Sequence, residues 1–156
     1  MPIRHIPKNP PAAPLAAPLA RPNPVHAALV PFPAVCFTLV LATDVAYWRT
    51  ANLMWSNFSS WLLVAGLVTG VAAALAGAVD ARLRWQRRRP GGWAHGLGGL
   101  LVLAVAFVNS LVHAGDGWRA VVPWGLVQSA LTVLLVIAVA WIGRVPAYGE
   151  EGFGHA

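Results

Sequence analysis

The sequence predicts an all-α fold, a bundle of four transmembrane helices, and three observations carry that prediction. Hydrophobic residues make up 58% of the 156-residue chain and charged residues only 10%, whereas a soluble domain carries about 25% charged residues. The apolar residues are gathered into four stretches of roughly 20 residues, the length that crosses a ~30 Å hydrocarbon core as a helix. All eight tryptophans, Trp48, Trp55, Trp61, Trp85, Trp93, Trp118, Trp124 and Trp141, fall at the ends of these stretches or between them. Indole prefers the headgroup region, so their placement reads as aromatic belts at two membrane interfaces.

The chain divides into a tail over residues 1–25, a transmembrane domain over 26–144 and a short terminal segment over 145–156. The tail is rich in Pro and Ala. Proline removes backbone donors and blocks helix propagation, so an extended, unpacked segment is expected. Prolines also interrupt the place where the apolar region of a signal peptide would lie. The first span is expected from about His26 to Trp48, the second from Ser60 to Ala81, the third from Trp93 to His113 and the fourth from Val121 to Gly143. Continuous rather than alternating apolar sequence, and the need to satisfy every backbone polar group within lipid, favour helices over strands.

The net charge of +6 does not point to nucleic acid, because its distribution is that of a topology signal. Arg82, Arg84, Arg87, Arg88 and Arg89 crowd the loop between the second and third spans, and Arg4, Lys8 and Arg21 lie in the tail. The first and third loops carry only Arg49 and Arg119. The positive-inside rule then places both termini and the arginine-rich loop in the cytoplasm, in an inner-membrane protein. A lesser role for these arginines is contact with anionic lipid headgroups. The single cysteine, Cys36, precludes an intrachain disulfide.

The two halves show signs of a tandem duplication of a helical hairpin. WLLVAGLVT at 61–69 resembles WGLVQSALT at 124–132, and His26 and Asp44 have the same 18-residue separation as His95 and His113. Two hairpins of like orientation would be related by a pseudo-two-fold axis along the membrane normal.

Polar groups within spans are costly and few, and they sort into two depths. Five helical turns separate His95 from His113, so both face one direction, with Gly99, Val102, Ala106 and Asn109 on the same stripe. Pro31 and Pro33 are expected to bend the first helix, which carries His26 and Asp44. On the second helix Gly66, Gly70, Ala73, Gly77 and Asp80 form a small-residue face suited to close helix packing. His26, Asp80 and His95 belong to the cytoplasmic end; Asp44, Asn109 and His113 belong to the outer end, with Asp44 and His113 read as an interhelical hydrogen bond. Gln128, Ser129 and Thr132 read as interhelical hydrogen-bonding groups.

Three readings fit the cytoplasmic cluster. His26 and His95 could be the axial ligands of a haem b, with Asp80 orienting one imidazole and arginines meeting the propionates. They could serve a quinone or proton site. They could simply cap helix ends by hydrogen bonding to Asp80 or to free backbone groups. No CxxCH motif exists, which excludes covalent haem, and no nucleophile–base pair, phosphate loop or metal-ligand spacing appears. No catalytic residue is therefore assigned, and the chain is not expected to be an enzyme by itself. Two function classes follow: an electron-transfer subunit holding haem b or contacting quinone, or a non-catalytic accessory or anchoring subunit of a larger membrane complex. In either, the expected partners are the lipid bilayer and other membrane or periplasmic subunits.

Asn23-Pro24-Val25-His26, Val30-Pro31-Phe32-Pro33 and Asp44, then Trp61-Leu62-Leu63, Gly66 and the Gly77…Asp80 ending, with His95 and Asn109 on the third helix, resemble the bacterial membrane family known as domain of unknown function 2231. The likeness spans roughly residues 23 to 143. It departs at Asn23, where many members carry another His before the Pro. The resemblance implies a four-helix membrane domain and supplies no activity. The family's general look is similar to small b-type cytochrome bundles.

Overall fold

The computed structural model describes residues 24–83, 92–115 and 121–144. Five helices account for nearly all of them: α1 (Pro24–Leu29), α2 (Pro31–Thr50), α3 (Leu53–Leu83), α4 (Gly92–His113) and α5 (Trp124–Arg144). α1 and α2 together form one span, Pro24–Thr50, and three more spans follow, so four segments are long and apolar enough to cross a membrane. The interruption at Val30 has a local cause. Pro31 and Pro33 lack the N–H groups that an unbroken helix would bond to residues 27 and 29.

The second span begins earlier than the expected Ser60. α3 starts at Leu53 and runs for 31 residues, roughly 46 Å at 1.5 Å per residue. Its polar opening, Leu-Met-Trp-Ser-Asn-Phe-Ser, reads as loop by hydropathy but is helical because the chain reverses in two residues. Ala51 adopts a left-handed conformation (φ 52°) and donates its N–H to the Tyr47 carbonyl, closing α2. Asn52 then accepts the Met54 N–H on its side-chain oxygen at 3.0 Å, the N-cap geometry that starts a helix. The extension brings Ser59 into the bundle. At the other end of the domain, α5 begins at Trp124, three residues after Val121, because a turn over 121–123 precedes it.

The four spans pack in a ring: α2 lies against α3 and α5, and α4 against the same two helices. The small-residue face of α3 makes this closeness possible. A Cβ on Gly66 would stand 2.5 Å from the Phe37 ring of α2, and one on Gly70 would stand 2.5 Å from Cδ2 of Leu103 on α4. Both glycines are therefore structural, as their spacing predicts. Phe37, Val40, Leu63, Val102 and Ala106 form the apolar core between them.

Burial follows the expected duplication. Phe37, Val40 and Asp44 on α2 are matched 69 residues later by Ala106, Asn109 and His113 on α4, all buried. Ser59, Leu63 and Gly66 on α3 are matched 66 residues later by Gly125, Ser129 and Thr132 on α5, again all buried. The Trp61 and Trp124 motifs, by contrast, pair positions 63 apart. That motif alignment is one helical turn out of register with the packing, a slip that apolar sequence of low complexity does not penalise.

The packing is uneven along the axis. Every fully buried position lies within 37–47, 59–73, 102–113 or 121–132. No residue of 24–36, 74–83, 93–101 or 133–143 is fully buried. One end of the bundle is tight, and the other, where both chain segments nearest the termini meet, is open.

Candidate functional site

The tight end is organised around a carboxylate. Asp44 of α2 is fully buried, and side chains from the other three spans converge on it. Ser59 of α3 donates to its Oδ1 at 2.5 Å, and Ser129 of α5 donates to its Oδ2 at 2.5 Å. His113 of α4 places Nε2 2.9 Å from Oδ1. The His113 Nδ1 donates to the Asn109 carbonyl at 3.0 Å, since a carbonyl only accepts. One proton therefore lies on the line between Nε2 and Oδ1, and the pair is neutral as a whole wherever it sits. Asn109 donates from Nδ2 to Ser129 Oγ at 2.8 Å. That direction is fixed, because the Ser129 proton is already committed to Asp44. Thr43 adds a third hydroxyl, 2.7 Å from Ser59 Oγ.

A carboxyl group in an apolar interior is tolerated only with such a full set of partners. Four-helix convergence on Asp44 makes it a clamp that fixes the rotation of every span. Among the described residues, Asn109 Oδ1 and Gln128 Oε1 are buried acceptors without a hydrogen-bond partner.

The open end holds the second pair. His26 of α1 donates from Nδ1 to the Ala73 carbonyl of α3 at 2.8 Å. His95 of α4 donates from Nδ1 to the Val139 carbonyl of α5 at 3.3 Å. The two rings meet edge to face, with centroids 6.5 Å apart and planes at 87°. His95 and His113 are 18 residues apart on one helix, so the two pairs are separated by roughly 27 Å along the axis.

Each pair joins positions 69 residues apart, 26 with 95 and 44 with 113, the same offset that relates the buried positions of α2 and α4. The bundle thus carries one polar pair toward each of its ends.

The sequence-expected groups are distributed as follows. His26 and His95 are brought together, half-buried. Asp80, also half-buried, follows Gly77 on the same face of α3, but the second nitrogen of each imidazole is held by a backbone carbonyl, the part assigned to Asp80 in the haem reading. Asp44, Asn109 and His113 are brought together, and the expected bond between Asp44 and His113 is made. Arg82 is described, at the end of α3; Arg84, Arg87, Arg88 and Arg89 lie outside the described residues, as do Arg119, Trp85, Trp118 and residues 1–23 and 145–156 of the two tails, whereas Pro24 and Val25, expected in the extended tail, already belong to α1. Ser59 and Thr43 are participants that hydropathy does not reveal. A serine seven residues after Asn52 becomes visible only once that Asn is recognised as a helix cap. Among the described residues no group of three or more His, Cys, Asp or Glu side chains gathers as a metal site; a two-histidine pair is not such a group.

A helical ring of four apolar spans with a buried polar pair toward one end and a half-buried histidine pair toward the other defines an integral membrane bundle. The chain belongs to the family described as predicted membrane protein (DUF2231), which it matches over residues 22–151. No curated protein and no solved structure matches it.

Proposed function

We propose that this protein is an electron-transfer subunit of the membrane, with His26 and His95 as the two axial ligands of a haem b. The observation that carries the reading is the histidine pair itself. Each Nδ1 proton goes to a carbonyl, the arrangement that ligating histidines adopt, which leaves Nε2 as the metal-binding nitrogen. The two ring centroids are 6.5 Å apart, near enough that both imidazoles would hold a single iron.

The surroundings fit a bulky group. Gly99 follows His95 by about one turn on the same face of α4, and a Cβ there would meet nothing within 4 Å. α4 is therefore uncrowded one turn beyond His95, at the end where packing is loosest. Haem held by two imidazoles supplies one-electron transfer without an open coordination position. The residues of this chain supply its ligands, fix their orientation through Ala73 and Val139, and exclude water from one side through the tight core. Arg82 and the arginines that follow it offer charge for the propionates.

The same arginines orient the protein: the open end faces the cytoplasm, and the Asp44 end faces outward, in the inner membrane. The test is a reduced-minus-oxidised absorption spectrum of the protein purified from haem-replete cells. The α-band of a low-spin b-type cytochrome is expected, altered or lost in His26→Ala and in His95→Ala and kept in His113→Ala. A colourless, well-folded protein contradicts the reading and leaves an accessory subunit in its place.

A further inference from the structure

The two histidines are seated in the same way by two glycines that no motif in the sequence connects. A Cβ built on Gly77 of α3 would stand 3.1 Å from Nδ1 of His26, and a Cβ on Gly143 of α5 would stand 3.1 Å from Nδ1 of His95. In each case the accepting carbonyl belongs to the residue four positions earlier, Ala73 and Val139. Carbonyl and glycine are thus one helical turn apart on a single face, and the imidazole lies flat enough on that face for its Nδ1–H to reach the carbonyl. A methyl group at either glycine would occupy tight space against the nitrogen that makes this bond. The two seats are 66 residues apart, the same offset that relates the buried positions of α3 and α5.

We propose that Gly77 and Gly143 are positioning residues that fix His26 and His95 as Nδ1–H tautomers, each presenting Nε2 to its ligand. A backbone carbonyl can only accept, so an imidazole held to it through Nδ1 carries its proton there, and the lone pair is left on Nε2. The inference deepens the haem reading, because the ligating nitrogen of both axial ligands is then chosen by the fold before any iron arrives. It also explains why two otherwise mobile glycines are placed late in long apolar helices, where each costs helix stability relative to alanine.

The experiment is nitrogen-15 NMR of the full-length, histidine-labelled protein made in haem-deficient cells and held in lipid nanodiscs. Imidazole nitrogen shifts separate the two tautomers, and His26→Gln and His95→Gln assign the signals. Both histidines are expected as Nδ1–H in the parent. Gly77→Val should abolish that signature at His26 and leave His95 unchanged, and Gly143→Val should do the reverse. His113, bonded through Nδ1 to Asn109 at the other end, reports whether each variant has kept its fold. Where a valine variant loses the His113 signal, the corresponding alanine variant decides, and it should shift the Nδ1 resonance of the facing histidine alone. An Nε2–H tautomer at His26 or His95 in the parent overturns the proposal, and so do glycine variants that leave both signatures in place. Since no haem is present, these outcomes stand apart from the haem reading: a protein that never takes haem still answers the tautomer question, and a haem-loaded parent with unchanged variants removes only the role of the glycines.

Discussion

Replacing Asp44 with alanine removes the acceptor on which three helices close. Ser59, Ser129 and His113 each lose a hydrogen bond to it. Interhelical hydrogen bonds in membranes average about 0.6 kcal/mol and reach about 1.7, so three of them come to roughly 2–5 kcal/mol. Asp44→Asn should cost far less, about 1 kcal/mol. The amide keeps one oxygen to accept from Ser129, and its NH2 can donate to the lone pair of His113 Nε2 and to Ser59 Oγ. The order parent, Asn variant, Ala variant is therefore expected in reversible unfolding of the purified protein in mixed micelles, followed by tryptophan fluorescence. In a double-mutant cycle, Asp44→Ala with His113→Ala should be less destabilising than the two single changes added together, because the partners share one bond. An alanine variant within about 0.5 kcal/mol of the parent, below the average for a single interhelical bond, would refute the clamp. So would an asparagine variant worse than the alanine one.

Gly70→Leu should cost on the order of 1–3 kcal/mol in the same assay, because even a Cβ there meets Leu103 at 2.5 Å; parental stability would mean that α4 does not lie on this face. A reporter fused after Arg89 should read cytoplasmic and one fused near Gly117 should read exterior, the opposite pattern overturning the orientation. Deleting residues 1–22 should leave membrane insertion and yield unchanged, since the segment has few apolar side chains to bury; a loss of insertion would make it a targeting or structural element.

The number of spans and the identity of both polar pairs are legible in the sequence, because lipid imposes a strict length on apolar helices and makes every polar group within them conspicuous. The 18-residue spacing shared by His26 and Asp44 and by His95 and His113 survives in the structure as two pairs, His26 with His95 and Asp44 with His113. It does so because a whole number of helical turns preserves direction, even across the break at Val30. Ser59 and Thr43 were not legible. Serine and threonine are cheap to bury, their hydroxyls bond to the helix's own carbonyls as Thr43 does to Leu39, and their partners depend on where α3 begins. Hydropathy places that start seven residues late, since Ser56 and Asn57 dilute the apolar signal while Asn52 gives the true one. The glycine seats were legible only in part. Gly77 lies on the predicted small-residue face of α3, but its partner Gly143 shows no such pattern on α5, and an imidazole filling the place of a side chain leaves no mark in composition.

Whether iron is held between His26 and His95 is read most directly by titrating haem into protein purified from haem-deficient cells and following the absorption spectrum. Saturation at one haem per chain, a low-spin spectrum in both oxidation states, and loss of that spectrum in His26→Ala and His95→Ala but not in His113→Ala is the predicted result. Binding that is absent, or that persists unchanged when both His26 and His95 are replaced, would contradict it.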